Sequence, residues 1–235
     1  MKQARGGSVV EDAADSGTFE VAVFRLATDS AAVRASAKLL SDVEQHRATQ
    51  FAFDRDRDHF VVARARLRQL LASRLGVRPE AVELEYGAHG KPGLGGRFAD
   101  GELRFNVSHC NDLAVYAFSS GREIGIDVEA IRSLSDADRI AARFFSRRES
   151  AAYRALDPPD RPLGFFQCWT RKEAFIKALG EGLSHPLDSF DVSLAPGEPA
   201  QILGIEATPG DDRAWRLESL TPAPGFVAAV VTEER

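Results

Sequence analysis

Asp127, Glu129, Glu173 and Lys177 are the side chains whose types and spacing point most directly to chemistry. In Ile124-Gly125-Ile126-Asp127-Val128-Glu129 apolar and polar positions alternate. The two-residue period of a strand sends Ile124, Ile126 and Val128 to one face and both carboxylates to the other. Two acids that close repel unless a cation or a proton intervenes, and Gly125 beside them leaves room for a ligand to approach the backbone. About forty residues later, Trp169-Thr170-Arg171-Lys172-Glu173-Ala174-Phe175-Ile176-Lys177 reads as a helix. Trp169, Glu173 and Lys177 recur on one side of it, and Gly180 and Gly182 follow as a stop. Alone, Glu173 and Lys177 also fit an exposed ion pair, and the two strand acids also fit a wet sheet face. If the two faces meet, three carboxylates converge beside one ammonium. That suits a magnesium ion, with Mn²⁺ as its substitute, bridging phosphate oxygens. Zinc is disfavoured because the chain has no Cys/His cluster.

The elements that must carry these residues follow from the same periodicities. Residues 19–27 alternate as a strand and 31–50 read as a helix. Residues 58–75 form an amphipathic helix with Leu67, Leu70, Leu71 and Leu75 on the core side, Arg57, Arg64 and Arg68 near the other, and Gly76 as its stop. Strands are expected over 82–86, 102–108, 113–119 and 122–130, the last two joined at Ser120-Gly121, before helices take over as far as Gly180. Phe105-Asn106-Val107-Ser108 returns as Phe190-Asp191-Val192-Ser193, each after a helix ending in Leu-Gly and each before an apolar strand, 113–118 and 226–231. That echo suggests two similar halves with a site between them.

Composition frames this reading. At 235 residues and 44% hydrophobic the chain can bury a real core. A net charge of −5 argues against a nucleic-acid partner, although Arg55, Arg57, Arg64, Arg66, Arg68 and Arg74 crowd one stretch where a phosphate-bearing ligand could be held. No segment has the apolar length to cross a bilayer. Residues 1–18 read as a flexible tail rather than a signal peptide. Two cysteines, Cys110 and Cys168, make a disulfide scaffold improbable, so a cytoplasmic location fits.

Taken together, Gly125 to Glu129 and Trp169 to Lys177 resemble the paired signatures of the 4'-phosphopantetheinyl transferases, specifically the larger two-lobed, surfactin-type branch. Gly90-Lys91-Pro92, Phe105-Asn106-Val107-Ser108-His109, Phe144-Phe145-Ser146 with Glu149, and Gly182-Leu183-Ser184 leading to Pro186-Leu187-Asp188-Ser189-Phe190 fall in the expected order. The resemblance spans residues 51–193. It implies an α+β fold, a pseudo-twofold pair of similar lobes (19–120 and 121–235) with the active site in the cleft between them. It also implies transfer of the phosphopantetheine arm of coenzyme A to a serine of an apo carrier protein of a polyketide, nonribosomal peptide or fatty-acid synthase, and two fused lobes make a monomer the simplest expectation. Because the nucleophile belongs to the partner, the chain needs no catalytic serine of its own. By residue-level match, Asp127, Glu129 and Glu173 become magnesium ligands, and Glu173 a candidate base, directly or through a water. Lys177 neutralises the transferring phosphate, with Lys172 assisting from the cleft edge. Lys91, on a rigid turn, and Ser108-His109 become coenzyme A ligands, with Arg47 and Arg64 the weaker candidates. Glu44 departs from the pattern, standing where some members carry a lysine. Glu149 is read as a supporting acid or a helix cap. The rival readings are a magnesium-dependent phosphohydrolase and a non-catalytic coenzyme A or carrier-binding module.

Overall fold

Leu67, Leu71 and Ala72 recur at helical spacing and are buried, and the helix they define forms one outer layer of the molecule. The structure is a computed structural model that describes residues 9–10, 18–26, 29–205 and 213–234. It opens with strands β1 (Val9–Val10) and β2 (Phe19–Arg25), then helices α1 (Ser30–Ala37), α2 (Asp42–Ala48) and α3 (Asp54–Leu75). A short hairpin of β3 (Leu84–Tyr86) and β4 (Pro92–Leu94) precedes a long one of β5 (Leu103–Cys110) and β6 (Leu113–Ser120). The order then repeats. β7 (Ile124–Ala130) leads into helices α4 (Ala137–Phe144), α5 (Arg147–Ala155) and α6 (Arg161–Leu179), a short hairpin of β8 (Phe190–Val192) and β9 (Ile202–Ile205), and a long hairpin of β10 (Ala214–Leu220) and β11 (Phe226–Glu234).

Both main sheets are antiparallel, ordered β1-β2-β6-β5 and β7-β11-β10. In the first half β2 pairs with β6 and β6 with β5, as β7 pairs with β11 and β11 with β10 in the second, with β1 an addition at the edge of the first sheet, so the fold is α+β with two similar lobes. The duplication is real, but the tetrapeptide echo does not mark it. Phe105 lies in the long hairpin of its lobe and Phe190 in the short hairpin of the other, so the two are not equivalent. The matching landmarks are the helix stops: Gly76 (φ 65) and Gly180 (φ 79) both end their helices in the left-handed region. The strands 113–118 and 226–231 match as well, since each is the central strand of its sheet.

Alternation places these sheets in four layers. Leu113, Val115 and Ala117 of β6 pack with Ile124, Ile126 and Val128 of β7 and with Phe226, Ala228 and Val230 of β11 in one core between the sheets. The intervening residues of β6, namely Ala114, Tyr116 and Phe118, pack against α3. Those of β11, Val227, Ala229 and Val231, pack with the aromatic residues of α6. The central strands are therefore apolar on both faces. β7 keeps its Gly125, Asp127 and Glu129 face for α6.

Gly125 serves a purpose other than the expected one. A Cβ built there would lie 2.0 Å from the Ala174 carbonyl oxygen and 2.4 Å from the Ala178 nitrogen, so the space it leaves is filled by the backbone of α6 rather than by a ligand. Because backbone cannot rotate away as a side chain can, Gly125→Ala is expected to destabilise the fold by about 3 kcal/mol or more, read as a lowered denaturant midpoint. A midpoint equal to wild type would show that α6 is not seated on β7 in this way.

Three boundaries also differ. The expected helix over 31–50 is broken between α1 and α2, because Ser41 starts α2 with a capping box closed by Glu44. The strand expected over 82–86 begins only at Leu84. Val9 and Val10, expected in a loose tail, pair with Phe24 and Val23, and the rest of 1–17 lies outside the described residues.

Candidate active site

β5 and β7 are the edges of different sheets, yet they meet through side chains. The Ile126 N–H donates to Asn106 Oδ1 at 2.9 Å, and the Ser108 hydroxyl donates to Asp127 Oδ1 at 2.8 Å. α6 completes the junction. Lys177 Nζ donates to Asp127 Oδ1 at 2.6 Å, to Ser108 Oγ at 3.2 Å and to the Ile126 carbonyl at 3.3 Å. Each lobe thus contributes to one polar cluster at the floor of a cavity of about 850 Å³, lined by Asp127, Glu129, Glu173 and Lys177 from one lobe and by Arg47, Arg64, Lys91, Ser108 and His109 from the other.

Asp127 is buried, and its Oδ2 has no hydrogen-bond partner. A sealed carboxylate oxygen left so costs free energy unless something binds it. Burial, and behind it the charge of Asp127, raise the pKa of Glu173, with Lys177 relieving part of the effect and Glu129 adding to it. Glu129 accepts from Arg132 Nη1 at 3.1 Å and from Cys110 Sγ at 3.5 Å. Among the described residues no three or more of His, Cys, Asp and Glu are gathered closely enough to hold a metal ion as they stand. The acids that border the cavity, Asp127, Glu129 and Glu173, offer carboxylate oxygens, the chemistry of a hard cation.

Further along the cleft, His109 opens onto the cavity, and desolvation by its surroundings, followed by the charge of Lys177, lowers its pKa. Ser108 and His109 both border the cavity, although alternation predicts opposite faces. Lys91 is half-buried and already satisfied, donating to Glu123 Oε2 and the Ile124 carbonyl at 3.3 Å each and to the Ala178 carbonyl at 3.4 Å. Burial lowers its pKa, with Glu123 opposing. At the far end the Arg64 guanidinium lies 5.7 Å from both the Phe60 and the Tyr86 ring centroids, and its buried Nη1 has no partner. Arg47, exposed, has its guanidinium 5.6 Å from the Phe60 ring centroid.

Two expectations are corrected here. Lys172 does not reach the cleft: it is 0% exposed, pairs with Glu149 at 2.7 Å, and donates to the carbonyls of Leu187 and Phe190 at 2.6 Å each. Nor does the arginine-rich stretch gather around a ligand. Only Arg64 of that group lines the cavity; Arg68 is buried on Glu44 and on two carbonyls, Arg57 pairs with Asp54 and Asp58, and Arg74 pairs with Glu20. Glu44 is itself the buried acid between Arg68 and Arg64. Asn106, to which the sequence assigned no role, holds β7 in place, and Tyr86 and His89 also line the cavity. The amide's position two residues before Ser108, on the same strand face, was the available signal.

Comparison with known proteins bears on what this cluster does. Residues 123–231 match the family model for the 4'-phosphopantetheinyl transferase superfamily, and residues 28–121 match that for the 4'-phosphopantetheinyl transferase N-terminal region. The 4'-phosphopantetheinyl transferase HetI of a Nostoc strain is 41% identical over 83% of this chain and 78% of its own length. The chain belongs to the 4'-phosphopantetheinyl transferase superfamily. Within it, a putative 4'-phosphopantetheinyl transferase of Synechocystis is 33% identical over 82% of this chain and 76% of its own length. The 4'-phosphopantetheinyl transferase Sfp of Bacillus subtilis is 36% identical over 55% and 54%. This transferase therefore carries its junction of Asn106, Ser108, Asp127 and Lys177 where its two lobes meet. Among its described residues no helix is long and apolar enough to cross a membrane.

Proposed function

We propose that the protein transfers the 4'-phosphopantetheine arm of coenzyme A to a serine hydroxyl of an apo carrier protein of a polyketide, nonribosomal peptide or fatty-acid synthase, releasing adenosine 3',5'-bisphosphate. The observation that carries this reading is the Asp127–Lys177 pair, a buried acid with a half-buried ammonium, at the junction of the lobes, beside a carboxylate oxygen that nothing in the protein satisfies. In the reaction a bond forms between the serine oxygen and the phosphorus next to the pantetheine, and the bond from that phosphorus to the bridging pyrophosphate oxygen breaks. Such a transfer needs positioning and charge neutralisation more than covalent help from the enzyme.

Asp127, Glu129 and Glu173 would hold magnesium, and their fit rests on the orphaned Asp127 Oδ2 and on the burial, and after it the charges of Asp127 and Glu129, that raise the Glu173 pKa. When bound, the ion supplies charge neutralisation to the pyrophosphate oxygens and the departing bisphosphate. Lys177 presents its ammonium at the transferring phosphate, held on target by Ser108 and the Ile126 carbonyl. Glu173 accepts the serine proton, directly or through one water. His109, Lys91 and Ser108 line the phosphate path, and Arg64 with Arg47 closes the end that takes the remaining phosphate. Both walls of the cleft come from one chain, so a monomer suffices, and free Cys110 and Cys168 suit a reducing cytoplasm.

Lys91→Ala is expected to raise the KM for coenzyme A about ten-fold with kcat within about two-fold, as for a group that binds ground and transition states alike. Since Lys91 also ties the lobes through Glu123, Ile124 and Ala178, an unchanged KM with lowered stability would make it a strut only. The reaction itself is tested by following bisphosphate release with and without an apo carrier. Release that depends on the carrier supports transfer; release without any protein acceptor would identify a phosphohydrolase.

A further inference from the structure

Each carboxylate of the proposed metal site has a different relation to the cations around it. Asp127 is paired with Lys177 at 2.6 Å, and Glu129 with Arg132 at 3.1 Å. Glu173 has its pKa raised, with only Lys177 relieving the repulsion. Lys177 belongs to the chemistry proposed above, but Arg132 does not line the cavity, and nothing in that mechanism uses it.

Arg132 is nonetheless well placed. It follows β7 directly, its Nη1 also donates to the Ala130 carbonyl at 3.0 Å, and its guanidinium lies 4.7 Å from the centroid of the buried Phe166 ring. The ring and the carbonyl hold the cation beside Glu129 without help from the carboxylate. Arg132 and Cys110 both donate to Glu129 Oε2, so that oxygen is already engaged by two donors.

We propose that Arg132 is a positioning residue that competes with the metal for Glu129, holding this carboxylate in reserve until a divalent cation displaces the guanidinium. The inference rests on the metal reading given above. Its physical basis is that a cation fixed 3.1 Å from a ligand oxygen both occupies a lone pair and repels an incoming positive ion. The Arg132 side chain is 50% exposed, so solvent screens the effect and the competition is mild. A mild competitor sets the metal concentration at which the site fills without preventing it from filling.

The test is Mn²⁺ binding to the full chain without coenzyme A or carrier, followed by the loss of the free-ion electron paramagnetic resonance signal. Arg132→Ala is expected to bind Mn²⁺ about three-fold more tightly than wild type, the span of an exposed ion pair, and Arg132→Lys to stay near wild type. The gap between Arg132→Ala and wild type should narrow as salt is raised. A merely structural role would weaken binding or leave it unchanged, so equal or weaker binding by Arg132→Ala, with wild type binding normally, overturns the inference alone. No binding by wild type overturns it together with the metal reading, and Asp127→Asn, expected to abolish binding, shows whether the signal comes from this site.

Discussion

Asp127→Ala and Glu173→Ala should each lower kcat/KM for carrier modification by about a thousand-fold, a loss of about 4 kcal/mol of transition-state stabilisation. The magnitude follows from position. Asp127 is the only acid in the cluster bonded both to Ser108 of one lobe and to Lys177 of the other, so its loss removes a proposed metal ligand and frees the ammonium from its anchor. Glu173 combines the roles of ligand and proton acceptor in the proposed chemistry. Both variants should still fold. Asp127→Ala takes an acceptor from Ser108 and Lys177 and so costs some stability, but both of these border the open cavity and Lys177 keeps the Ile126 carbonyl. Glu173 is disfavoured as a charge by burial and then by Asp127. Steady-state transfer assays paired with denaturation curves check both halves of this expectation, and near wild-type turnover in either variant would remove these residues from the site.

Lys172→Ala should behave in the opposite way, lowering stability by about 3 to 5 kcal/mol through the fold rather than through the chemistry. Glu149 closes the capping box at Ser146, accepts the Val192 N–H at 2.7 Å and pairs with Lys172 at 2.7 Å. Burial raises its pKa, and Lys172 opposes that. Without the ammonium, Glu149 would be a buried charge short of its counter-ion, and two carbonyls, those of Leu187 and Phe190, would lose their donor. The double variant Lys172→Met with Glu149→Gln should recover part of the loss, since the neutral amide removes the unpaired charge while its oxygen can still accept one of the buried N–H groups of Ser146 and Val192. If Lys172→Ala instead left the denaturant midpoint intact and raised the KM for coenzyme A, the lysine would belong at the cleft edge after all.

The contrast between Lys172 and Asp127 shows which parts of this molecule a single sequence discloses. Ile124 to Glu129 could be read because a strand with one dry face writes its period into adjacent residues. Glu173 and Lys177 could be read because one side of α6 stays polar where it meets the cleft. Lys172 could not, because most of α6 is buried, and on such a helix an inward lysine looks like an outward one. Its partners, Glu149 and the carbonyls of Leu187 and Phe190, are set only by the tertiary fold. The arginines of α3 failed for the same reason: whether Arg68 meets solvent, a phosphate or Glu44 depends on a residue 24 positions away. The break at Ser41 is different, since Ser41 and Glu44 have the spacing of a capping box and were legible locally. Gly125 was legible as a close approach, but not as to what approaches. The duplication could be inferred from the helix stops and apolar strands, while the shared tetrapeptide that drew attention to it joins residues with different places in their lobes.

The most direct test of the proposed function is intact-protein mass spectrometry of an apo carrier protein incubated with this chain, coenzyme A and Mg²⁺, with and without a chelator. A gain in carrier mass equal to one phosphopantetheine group, lost when the metal is chelated, is the predicted result. A carrier that stays unmodified across polyketide, peptide and fatty-acid types, or one modified equally well in chelator, would contradict the metal-assisted transfer assigned to the Asp127, Glu129, Glu173 and Lys177 site.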